Sequence, residues 1–180
     1  ASYNVAMGHN SLATNTTGAN NVAIGDGVLV ANTTANDNTG LGHRALLSNT
    51  TGAGNVAVGS LALDANTTAS NNTAVGYVAM TANTTGYSNT AVGKSALSTL
   101  TTGNQNVALG HNALVLATTS SDNTAVGYSA LFDCTTGHSG VAVGSEALAN
   151  NTTGNYNTAV GYQALYTNTT TSWNTAVGYK

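Results

Sequence analysis

The 180-residue sequence has no proline, one cysteine, one phenylalanine, one tryptophan and only 5% charged residues. Each scarcity excludes something. Ordinary domains carry about 25% charged residues around a mixed apolar centre, so a conventional globular core with a charged shell is not expected. The lone Cys134 rules out an internal disulfide framework and any metal site built from several thiolates. Three Lys and Arg against six Asp and Glu give a net charge of −3, with no basic stripe to neutralise phosphates, so no nucleic-acid partner is expected. No apolar run approaches the roughly 18 residues that span a bilayer, which argues against membrane insertion. The opening "ASYNVAMGHN" has neither a basic nor an apolar leader region. Paired carboxylates, a Ser-His-Asp arrangement and a phosphate loop are all missing, so no enzymatic activity, catalytic residue, cofactor or metal is predicted.

What is present is a period. The glycines Gly8, Gly25, Gly42, Gly59, Gly76, Gly93, Gly110, Gly127, Gly144, Gly161 and Gly178 are spaced by seventeen residues throughout, without one insertion. Strict register of this kind marks a solenoid in which each unit is one coil stacked on the last. The units run as ten complete copies over 4–173 and a partial copy over 174–180, so 1–180 reads as a single repeat solenoid. With no capping coil at either end, it is expected to be a segment of a longer fibre or a subunit stacked end to end with others.

Aligned on the period, the columns carry physical meaning. Each unit opens with Asn, replaced once by Gly140, followed by a β-branched Val or Thr, then Ala (once Gly40), then an aliphatic such as Met7, Ile24, Leu41 or Val58, then the recurrent Gly. This alternation predicts a short strand with the β-branched and aliphatic columns inward and the Ala column outward, a smooth small-residue stripe. The Gly is expected where a turn or a close approach leaves no room for a β-carbon. A recurring Ala-Leu pair, such as Ala45-Leu46 or Ala96-Leu97, predicts a second strand with Leu inward. The unit closes on Asn-Thr-Thr, whose two Thr persist in every complete copy and are expected on opposite faces, one toward the interior or a corner.

The predicted fold class is therefore all-β: a parallel β-solenoid of the β-roll or β-helix kind, seventeen residues per coil, about ten coils, two short strands per coil. At ~4.8 Å per coil the rod is roughly 50 Å long. Stacking also accounts for the composition. A recurring charge would sit beside its own copies and repel them; the charged residues indeed never fill a column. Proline would remove ladder donors. Asn and Thr, by contrast, bond favourably to their copies.

The stretch "NNVAIG" from Asn20 to Gly25, together with the "NVAVG", "NVALG" and "NTAVG" copies, resembles the repeats of YadA-like trimeric autotransporter adhesin heads. The whole unit, N-T-A-V-G-Y-x-A-L-x-x-N-T-T-G-x-x, is also similar to repeats of bacterial and phage tail-fibre proteins. The resemblance covers essentially all of the chain. It implies a left-handed parallel β-roll, side-by-side packing of three chains, and a place outside the cell or on a virion surface.

The expected role is a non-enzymatic extracellular structural fibre or adhesin-like rod that self-associates as a trimer or filament and meets a host surface or glycan. Two alternatives are an ice- or carbohydrate-binding module using outward Asn and Thr ranks, and a tail-fibre depolymerase with a site between chains. Asn15, Asn32, Asn49, Asn66, Asn83, Asn151 and Asn168 each begin an N-glycosylation sequon, with Asn71 and Asn150 as extra ones. Three successive units replace this Asn by Leu100, Ala117 and Cys134 yet keep both Thr. The column is therefore expected on the surface, with Cys134 an isolated thiol there. His9, His43 and His111 share a column with Tyr77, Tyr128, Tyr162 and Tyr179, read as a solvated aromatic rank rather than a ligand set.

Overall fold

The computed structural model describes residues 2–180. It is an all-β parallel solenoid. One strand of three residues forms in each coil: β1 (Val5–Met7), β2 (Val22–Ile24), β3 (Thr39–Leu41), β4 (Val56–Val58), β5 (Thr73–Val75), β6 (Thr90–Val92), β7 (Val107–Leu109), β8 (Thr124–Val126), β9 (Val141–Val143), β10 (Thr158–Val160) and β11 (Thr175–Val177). The strands build a single sheet in sequence order. Each residue pairs with the one seventeen positions on, as Thr73 with Thr90 and Ala74 with Ala91. The columns of the sequence are thus columns in space.

The second strand does not form. The Leu of each Ala-Leu pair, or Met80 in its place, has a left-handed backbone with φ between 51° and 54°. A strand needs negative φ, so this segment turns a corner instead of running straight. Two further left-handed residues complete the bends of a coil, as Val78 (φ 51°) and Ser88 (φ 56°) do around Met80. Such conformations cost L-residues of order 1–2 kcal/mol each. Stacking offsets this: the Leu46 N–H donates to Ala62 O of the next coil at 3.1 Å, and complete burial of the Leu side chain contributes about 1.5–3 kcal/mol.

The strand faces are the reverse of the expectation. The Ala column points inward and is fully buried from Ala23 to Ala159, whereas the β-branched and aliphatic columns face out. Bore volume is the reason. The interior already holds a stack of Leu, with Met80 in one coil, from Leu29 to Leu148, and before each of them an Ala, or Val28 before Leu29, leaving space for only a methyl opposite. Gly40 shows how tight the fit is, since a β-carbon there would lie 2.4 Å from Val28 Cγ1.

The recurrent glycine meets both conditions expected of it. Gly76 has φ 141°, a region L side chains rarely adopt, and a β-carbon on it would stand 2.5 Å from Gly93 O in the next coil. Above and below this hinge the chain stays bonded, with Gly93 N–H donating to Val75 O at 2.8 Å.

Candidate functional site: the outward sheet face and the polar ladders

Two parallel rows of side chains stand on the outer face of the sheet. One is Val or Thr, half-buried along most of the rod; the other is aliphatic and includes Met7, Leu41, Val92, Leu109, Val143 and Val160 among the exposed residues. Neither row contains a charged residue in any of the eleven strands. The molecule therefore places its larger strand side chains in solvent and its smallest ones inside.

The asparagines go the other way. Both Asn columns line the interior, forming two amide ladders. In the leading column Asn55 N–H and Nδ2 both donate to Asn38 Oδ1, at 2.9 and 3.2 Å, and the same Nδ2 crosses the coil to Ala69 O at 2.9 Å. In the sequon column Asn66 Nδ2 donates to Asn49 Oδ1 at 2.8 Å and to that same Ala69 O at 3.0 Å. One carbonyl thus gathers an amide from each ladder, and the interior divides into an Ala/Leu half and an amide half.

The surface position expected for the sequon column is thereby corrected. Asn32, Asn49, Asn66, Asn83 and Asn151 are buried, while Asn15 and Asn168 near the ends are partly exposed. A glycan on any of the five would require its amide to leave the interior. The replacements that suggested an optional surface residue reflect instead a hydrophobic substitution within the core. Cys134 is likewise buried, its Sγ 3.6 Å from Gly137 O. Burial pushes its thiol up to about 11.

Replacing the column over three coils leaves a visible defect. Asn83 Oδ1 is buried with no donor where Leu100 stands in the next coil in place of an Asn. The Thr pair is unaffected. The first Thr of each pair is at a corner, and its hydroxyl donates to the matching Thr carbonyl of the next coil in an unbroken run from Thr16–Thr33 to Thr152–Thr169. The second Thr faces solvent, as expected of adjacent residues.

The His and Tyr column is exposed. Asp26 lies between His9 and His43, at 2.9 Å from His9 Nδ1 and 3.6 Å from His43 Nε2. His111 meets Tyr128 edge-on at 5.7 Å between ring centroids, and Tyr162 stacks on Tyr179 at 5.3 Å. Among the described residues no three His, Cys, Asp or Glu side chains converge on a metal position. A third polar ladder escaped the sequence reading. Tyr87 N–H donates to Asn104 Oδ1, Asn104 N–H to Ser121 Oγ, and Ser121 N–H bonds His138 Nδ1, each from one coil to the next. The signal was a column of Asn, Ser and His whose members differ in type but share an acceptor.

No protein-family model matches the chain, and no curated protein or solved structure is significantly similar to it. Among the described residues no helix is long and apolar enough to cross a membrane.

Proposed function

We propose that the chain is a structural rod of an extracellular fibre, non-enzymatic, that packs lengthwise against copies of itself along the outward sheet face. The observation that carries this reading is the inversion of the strand: Ala inside, and Val, Thr, Leu, Ile and Met outside. The aliphatic row is an uncharged apolar strip running the length of the rod, flanked by a row of Val and Thr, and such a strip is a surface awaiting a partner. A second rod offers the best match, because only a neighbour with the same coil rise keeps every row of side chains in step from one end to the other. Parallel ladders above and below each coil supply the stiffness such a fibre needs.

Analytical ultracentrifugation tests it. The wild type is expected at an integer multiple of the monomer mass, and Val92→Asp combined with Val126→Asp is expected as monomer with an unchanged β spectrum. A wild-type chain that sediments as monomer at all concentrations would sink the proposal.

A second reading, a water-ordering or ice-binding surface, is supported by the exposed Thr rank from Thr17 to Thr170, one hydroxyl per coil without a gap. Thermal hysteresis that disappears on replacing Thr68, Thr85 and Thr102 by Lys is the result that reading requires.

A further inference from the structure

One groove breaks the regularity of the surface. It has a volume of about 260 Å³ and is lined by Tyr128, Phe132, Glu146, Ala149, Asn150 and Tyr166. Phe132 and Tyr166 occupy the same column two coils apart, and the coil between them carries Ala149. A ring is therefore missing from the middle of an aromatic rank, and a slot opens in its place. Elsewhere this column holds Ala13, Val30, Leu47, Asp64, Thr81, Ser98 and Val115, so no other coil pairs two rings in this way.

Charge specifies what fits. Glu146 stands at the groove and its Oε2 accepts from Gln163 Nε2 at 2.5 Å, which holds the carboxylate in place. Asp133 lies in the column of Asn150, one coil earlier, and is half-buried. No Lys or Arg occurs between Lys94 and Lys180, so no side chain of fixed positive charge within those coils compensates these carboxylates. At ~4.8 Å per coil the levels of Phe132 and Tyr166 are about 10 Å apart. A cation seated over Ala149 would be about 5 Å from each level, a spacing that brings both rings within reach of it.

We infer that this groove binds a small free quaternary ammonium compound, its methyl groups against Tyr128, Phe132 and Tyr166 and its charge balanced by Glu146. A compact ammonium such as that of Lys is strongly hydrated; a methylated one gives up its water more readily and covers ring faces better. The groove's modest volume limits the ligand to a small molecule.

The probe is choline chloride, titrated into the purified chain while Tyr ring signals are followed by NMR. Saturable shifts are expected. Tyr166→Ala should weaken binding by about 3- to 10-fold, the range of one cation–π contact, and Glu146→Gln by about 2- to 5-fold through loss of a partly exposed opposite charge, while Tyr166→Phe, which keeps the ring, should leave it intact. The uncharged isostere 3,3-dimethyl-1-butanol should give no saturable shift. Equal binding of the isostere, absence of saturation with choline, or saturation with methyl glucoside alone would each overturn the inference, provided the β spectrum of each variant matches the wild type.

Discussion

Val28 occupies the space that a β-carbon on Gly40 would need, with Cγ1 2.4 Å from that point. Everywhere else along the rod the corresponding columns are both Ala, apart from Ser11 at the first coil. Two successive coils thus exchange volume across the bore, the larger Val28 of one facing the missing β-carbon of Gly40 in the next.

That exchange predicts coupling. Gly40→Ala alone should destabilise by about 1–3 kcal/mol through overpacking, and Val28→Ala alone by about 1–2 kcal/mol through the cavity left behind. The double variant restores the Ala–Ala pairing of other coils and should be more stable than the sum of the singles predicts. Denaturant titrations of all four proteins measure this; strict additivity would show that the bore is not the limiting volume.

The buried Asn ladder predicts a large cost for a small change. Asn66→Ala removes the only donor to Asn49 Oδ1 and one of two donors to Ala69 O. A buried orphan acceptor costs about 1–3 kcal/mol, so a shift of that size in unfolding free energy is expected. The same substitution at the partly exposed Asn15 should cost distinctly less.

Cys134→Asn should stabilise. It would put a carboxamide beside Asn151, whose Nδ2 has only Gly154 O as partner, and would replace the 3.6 Å thiol contact to Gly137 O by an amide hydrogen bond. A gain of about 1 kcal/mol is expected, read as an increase in Tm.

The thiol itself predicts a pH effect. Its folded pKa is raised to about 11 by burial, above the ~8.5 of a free cysteine. Between these values the unfolded chain loses the proton while the folded chain keeps it. Stability is therefore unaffected by this group below about pH 8 and falls as pH rises toward 11, by up to about 3 kcal/mol. Comparing wild type with Cys134→Ala across that range isolates the contribution from the tyrosines. Maleimide labelling at pH 8 should likewise be slow in the native protein and fast in denaturant.

Inside and outside of the strand should respond oppositely to substitution. Ala91→Leu must find room in a filled bore and should unfold the coil or cost several kcal/mol. Val92→Asp, one residue on, should leave the coil folded and weaken self-association. Circular dichroism separates the two cases from each other, and sedimentation tests the second.

Much of the architecture was legible in the residues. The recurrence from Gly8 to Gly178 identifies the coil, and in-register pairing follows because any slip would set unlike columns against each other. The Thr pair is kept where its Asn neighbour is not, and its hydroxyl run bonds every coil to the next. The Leu corners were not legible. Leu is a common strand or helix residue, and nothing in its identity announces φ near 51°; the left-handed state is imposed by closing a coil around a stack of Leu side chains. The sequon column misled for a related reason. Leu100, Ala117 and Cys134 suggested tolerance, and therefore the surface, but a core also tolerates apolar groups of fitting size, at the cost of an orphan on Asn83.

By itself the sequence determined the period, the stacking of like on like, and which residues share a face, because side chains along a strand alternate in only one way. Which of the two faces is inside was decided by the tertiary structure alone. Alternation is symmetric, and only the filled bore, with room opposite its Leu stack for a methyl and nothing larger, turns Ala inward and leaves Val and its neighbours outside.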